Sequence, residues 1–167
     1  MPTAPPDPHS DNATAAVQTN ALLRAALLFW SAAILAAAVA APIAASAARP
    51  EGWFLHEVLE PFCHQQPERT WQLQGHPLGV CARCLGVYAG LLLAALAAFP
   101  LPPKTIAAAL ALVAATWLVE FTGLAPVSNG FRWLTGLFLG ASVGAVVLPW
   151  APRHGPRWLA RPGSAPG

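Results

Sequence analysis

The amino-acid sequence predicts an all-α, polytopic transmembrane bundle of four spans with a short interfacial helix. Three observations carry this. The 167 residues are 56% hydrophobic and only 10% charged, with a mean hydropathy of +0.50, whereas soluble domains carry about a quarter charged residues. Apolar runs of about twenty residues recur along the chain, the length that crosses a bilayer. Eighteen prolines and thirteen glycines cluster at the chain ends and between those runs, where helix breakers belong. A net charge of +2 without a basic stripe gives no nucleic-acid partner. The partner it does imply is the lipid bilayer.

Residues 1–20 contain almost nothing large and apolar, so they are expected to form a disordered tail. Residues 21–150 form the membrane domain. Its first span is 22–48, with Arg24 at the edge where it can snorkel. The rival reading is a cleavable signal peptide, because AVAAPIAASAA offers small-residue cleavage sites. The long acidic region ahead of it and the length of the apolar run favour a retained helix. Residues 53–62, WFLHEVLEPF, place Phe54, Leu55, Val58, Leu59 and Phe62 at helical spacing, giving a short amphipathic helix suited to the interface. The second span is 77–99, closed by Pro100, Pro102 and Pro103. The third is 105–124 and the fourth 131–149. Residues 151–167 are expected to form a basic, disordered C-terminal tail.

Orientation follows from basic residues. With four spans both termini share one side, and the arginine-bearing tail makes that side cytoplasmic. Arg24, Lys104, Arg153, Arg157 and Arg161 then lie inside, and Arg49, Arg69, Arg83 and Arg132 outside. The loop between the first two spans faces out. Glycine recurs at 136, 140 and 144 in the fourth span and at 86 and 90 in the second. Small residues four apart line one helix face and admit close backbone approach, so the second and fourth spans are expected to pack together.

Every cysteine lies in one stretch, FCHQQPERTWQLQGHPLGVCARC at 62–84. Cys81 and Cys84 form a C-x-x-C in the first turns of the second span, with both sulfurs on one helix face. Helix N-terminal amides and Arg83 favour thiolates there. Cys63 and His64 precede them, with His76 between. Ligands, a loop and then C-x-x-C is the layout of many tetrahedral metal sites. Zinc is the first choice, with Cu(I) the alternative if the ligands are three thiolates. Adjacent residues such as Cys63 and His64 converge on one ion only where the backbone leaves regular structure, so His76 or an open position are the other options. A redox role through thiol–disulfide exchange with a membrane partner, or a structural disulfide between Cys81 and Cys84, are the competing readings.

Arg69, Arg83, Glu120 and Arg132 are expected near the outer membrane interface, where ionisable groups pair, as Glu120–Arg132 or Glu120–Arg83. The arginines left over suit an anionic ligand, and a transporter or binder of an anionic or lipidic small molecule is a further reading. Ser128 and Asn129 read as N-cap residues of the fourth span. No hydrolase triad, nucleotide loop or kinase signature is present, so no catalytic residue is assigned.

Taken together, CHQQPERT at 63–70, CARCLGVYAG at 81–90 and SNGFRWLTGLFLG at 128–140 resemble an uncharacterised family of small prokaryotic membrane proteins, domain of unknown function number twenty eighty-five. The resemblance covers residues 52–148. It carries onto Cys63, His64, Gln65, Pro67, Glu68, Arg69, Cys81, Arg83, Cys84, Gly86, Tyr88 and Gly90, then Glu120, Ser128, Asn129, Arg132, Thr135, Gly136 and Gly140. Thr70 stands where serine is usual, and Glu120 where aspartate is commoner. The resemblance favours His64 over His76 as the fourth member of the cysteine cluster, and it implies no activity. We expect a bacterial protein of the plasma (inner) membrane.

Overall fold

The computed structural model describes residues 8–97, 99 and 101–153. Five α-helices dominate it: α1 (Pro8–Ser46), α2 (Pro50–Leu59), α3 (Ala82–Ala97), α4 (Lys104–Phe121) and α5 (Asn129–Arg153). Helix α1 begins at Pro8, so the stretch expected to be irregular is helical from there on. Proline at a first helical position and the alanines that follow favour that continuation. Residues 1–7 of the expected N-terminal tail, and 154–167 of the C-terminal one, lie outside the described residues. Positions 151–153 continue α5.

Among the described residues, three helices are long and apolar enough to cross a membrane: Gln18–Ser46, Lys104–Phe121 and Asn129–Leu148. The second expected span is shorter than the sequence implied. Its helix is Ala82–Ala97, 16 residues, or roughly 24 Å at 1.5 Å per residue. Residues 77–81 belong instead to a hairpin and the turn after it. Strands β1 (Gln72–Leu73) and β2 (His76–Pro77) pair antiparallel across Gln74 and Gly75, both with positive φ (54° and 81°). That pair of left-handed residues makes the tight hairpin turn whose twist matches the strands.

Helices α3 and α5 lie parallel with their glycines interleaved. A Cβ on Gly86 would strike the Trp133 carbonyl, and one on Gly90 the Leu137 carbonyl; from the other side Gly136 faces Arg83 and Gly140 faces Val87. The backbones touch because glycine leaves both helices without a side chain at these four positions. Helix α1 runs antiparallel to α3. Near one end, Arg24 donates from Nε to the Ala95 carbonyl (2.6 Å) and from Nη2 to the Leu96 carbonyl (2.9 Å). Rather than snorkelling into headgroups, it satisfies carbonyls that the end of α3 leaves unpaired.

At the other end Pro42, inside α1, has no N–H for the carbonyl four residues back. That carbonyl, on Ala38, accepts the Gly79 N–H instead at 2.9 Å. Gly79 also fits because a Cβ there would meet Leu59 and the Ala38 backbone. The chain just ahead of Cys81 is thereby fastened to α1. Below it lies a small core of Ile34, Ala38, Leu59, Cys63 and Val80.

Helix α2 packs Gly52 and Leu59 against α1 and leaves Trp53, Phe54 and Val58 exposed. A 3-10 turn, Glu60–Phe62, continues it, so the expected helix at 53–62 starts three residues earlier and tightens at its end. Helix α4 stops at Phe121, short of the expected 124. Leu124 N–H bonds to the Val119 carbonyl, and that of Gly123 (φ 67°) to the Glu120 carbonyl. This is a glycine-terminated helix end, with two orphan carbonyls satisfied.

Candidate functional site

The polar end of the bundle is assembled from three separate pieces of chain. Cys63 closes the 3-10 turn after α2 and is buried. Cys81 immediately precedes α3, its carbonyl accepting the Leu85 N–H, and Cys84 lies in the first turn of that helix. The three sulfurs lie within 4.8 Å of one another. The Cys81 N–H donates to the Cys63 sulfur (3.1 Å), and the Gln65 N–H approaches it at 3.5 Å. Two backbone donors, one at the start of α3 and one in the loop after Cys63, thus converge on this sulfur and favour its thiolate, but other contacts outweigh them. The Cys63 thiol itself titrates above its ordinary range, chiefly because it is hydrogen-bonded to the Cys81 sulfur, with burial acting the same way.

Gln65 holds this corner. Its φ of 49° is left-handed, a conformation that costs a non-glycine residue roughly 1 kcal/mol or more. The side chain anchors it: Nε2 donates to the His56 carbonyl at 2.6 Å, and Oε1 lies 3.3 Å from His56 Nδ1. Gln65 thus ties the cysteine loop to α2.

His64 is not part of the sulfur cluster. Cys63 is extended (φ −161°, ψ 137°), and successive side chains of extended backbone point to opposite sides. With Cys63 turned inward, His64 is exposed, at the mouth of the pocket described below. His76 lies on the hairpin, outside the cluster.

Glu120, at the end of α4, is 6% exposed and gathers three guanidiniums. Arg132 donates from Nε to Oε1 at 2.6 Å and from Nη1 to Asn129 Oδ1 at 2.7 Å. Arg83 and Arg69 reach Oε2 at only 3.9 and 3.8 Å. Asn129 therefore orients an arginine, while Ser128 alone caps α5, its Oγ accepting the Phe131 N–H at 3.2 Å. Both expected partners of Glu120 are present, with Arg132 the closer. Glu68 is exposed on the 3-10 turn Pro67–Arg69. Tyr88 packs one turn below Cys84 against the small core.

Sequence reasoning passed over Thr116, whose buried hydroxyl accepts from Arg83 Nη2 at 3.1 Å. Its signal was spacing: 116 and 120 share a face of α4. Thr70 was noted only as a departure from serine; it is buried and closes the Pro67–Arg69 turn by donating to the Gln66 carbonyl at 2.7 Å.

Sulfurs and guanidiniums open onto one cavity of ≈ 350 Å³, lined by Pro61, Phe62, Cys63, His64, Gln65, Gln66, Arg69, Cys81, Arg83, Cys84 and Arg132. Fold and site define a polytopic helical membrane protein with a thiol- and arginine-lined pocket at one end of its bundle. The chain belongs to the family described as "Predicted membrane protein (DUF2085)", which residues 63–146 match. It is 39% identical over 99 residues to an uncharacterized protein of Methanothermobacter thermautotrophicus, covering 55% of this chain and 87% of that relative. It is 34% identical over 104 residues to an uncharacterized protein of Methanocaldococcus jannaschii, covering 57% and 67%. No solved structure matches. Both relatives are archaeal, which overturns the bacterial assignment; that expectation followed a resemblance to a prokaryotic family, and a prokaryotic family does not separate bacteria from archaea.

Proposed function

We propose that Cys63, Cys81 and Cys84 bind one metal ion, zinc in the first instance, at the extracytoplasmic end of the bundle. The observation that carries this reading is the convergence of three sulfurs from two distant parts of the chain to within 4.8 Å. Tetrahedral zinc with metal–sulfur bonds of about 2.3 Å needs sulfurs about 3.8 Å apart, and a trigonal thiolate site for Cu(I) needs about 4.0 Å at the same bond length. Small side-chain rotations reach either. The donor set is soft and thiolate-rich, which suits both metals. Three protein ligands leave a position open to the cavity, the arrangement of zinc sites that hold an exchangeable fourth ligand. His64 would fill it only if the backbone at Cys63 changed.

Metal analysis of the purified protein tests this. We expect near-unit zinc or copper in wild type and loss of that metal in Cys84→Ser. Wild type that fails to retain zinc or Cu(I) on reconstitution, and instead forms a trapped mixed disulfide through Cys81 or Cys84, would replace the metal reading with thiol–disulfide exchange.

A further inference from the structure

We propose that the same cavity is an oxyanion site, in which Arg69, Arg83 and Arg132 bind a phosphate-type group beside the cysteines. Three guanidiniums share one carboxylate, leaving a net charge of two that no second carboxylate in ion-pair range balances among the described residues. Only Arg132 makes a charge-assisted hydrogen bond to Glu120. The contacts of Arg69 and Arg83, at 3.8 and 3.9 Å, are about 1 Å longer than such bonds. Glu120 Oε2 and Arg83 Nε are both buried without a hydrogen-bond partner. Arginine carries five donors in a fixed fork, and here most of them are unused.

All three arginines line the cavity that holds the cysteines, and its ≈ 350 Å³ is within the range of small-ligand pockets. The group lies at the end of an apolar bundle, where lower dielectric strengthens charge attraction. A tetrahedral oxyanion with several acceptor oxygens supplies what the guanidiniums lack. Glu120 holds Arg132 in place and draws the other two together without saturating them. The anion binds with or without a metal on the sulfurs, so the inference stands apart from the metal reading.

The test is performed on full-length protein in neutral detergent, reduced and stripped of metal with a chelator. Cysteine alkylation by neutral iodoacetamide is followed with inorganic phosphate, with water-soluble short-chain phosphatidic acid, or with chloride at equal ionic strength. At about ten times its dissociation constant, an anion seated over the thiols slows their modification about tenfold by mass action. We expect protection by phosphate, by phosphatidic acid or by both, none by chloride, and loss of most protection in Arg69→Gln. Arg69 is partly exposed on a surface turn, so its replacement is the mildest of the three, and protection in each variant is read as the ratio of its own alkylation rates with and without anion. Protection by phosphatidic acid alone assigns the oxyanion to a lipid headgroup; protection by phosphate assigns it to a free anion. Equal alkylation rates in wild type under all three conditions overturn the proposal, as does full protection persisting in both Arg69→Gln and Arg83→Gln.

Discussion

At the residue scale the site depends on which groups share a donor or a charge. Glu120 is the one carboxylate in ion-pair range of three arginines among the described residues, and it is nearly buried. Removing one partner from a buried ion pair leaves uncompensated charge, typically costing about 3 kcal/mol or more. Glu120→Gln should therefore lower the unfolding midpoint in detergent clearly; an unchanged midpoint would show that the arginines are solvated independently of it. The sequence made the acid and its arginines legible, because charges are rare in so apolar a chain and those present must pair. It could not make legible which arginine takes the short bond, since Asn129 decides that by orienting Arg132 through one hydrogen bond. Nor could it place His64, whose orientation follows from the extended backbone at its neighbour.

At the element scale the seam between α3 and α5 sets where the site forms. Glycines at 86, 90, 136 and 140 let backbones touch, and this contact brings Arg83 and Cys84 beside Arg132. In lipid no hydrophobic force drives helices together, so close packing must supply the attraction. Gly140→Leu places a side chain against the Val87 backbone and should lower thermal stability in detergent by an amount equivalent to about 1–3 kcal/mol. Unchanged stability would mean the seam is not what holds the two helices. Four-residue glycine spacing announced this contact. The hairpin was not announced, because its strands are only two residues each and too short for an alternating pattern. It shortens α3, where an apolar stretch alone had suggested a full span. The Pro42–Gly79 arrangement was equally hidden: a proline within an apolar helix does not reveal which donor its freed carbonyl accepts.

At the scale of the whole molecule, α3 runs parallel to α5 and antiparallel to α1. If α1, α4 and α5 cross the bilayer, α3 traverses it alongside α5 despite its 16 residues, and the described helices cross four times. Arg69, Arg83 and Arg132 are tied to Glu120 and Arg24 to the end of α3, so none is free to set orientation. Counted from the sequence alone, that leaves Lys104, Arg153, Arg157 and Arg161 against Arg49 for the expected orientation, a wider margin than a count of all basic residues gives. A reporter fused after Gly167 should be active on the cytoplasmic side; activity on the outer side would reverse the assignment and place the pocket inside the cell. Exposed Trp53 and Phe54 on α2 suit the headgroup region beside that pocket.

The most direct measurement is X-ray absorption at the zinc edge of the reconstituted, full-length protein, which counts sulfur neighbours without relying on loss of folding in a variant. Convergence of Cys63, Cys81 and Cys84 on one ion predicts three sulfurs at about 2.3 Å, with one lighter nitrogen or oxygen neighbour completing the shell. A shell of nitrogen and oxygen only, or one containing a single sulfur, would contradict it.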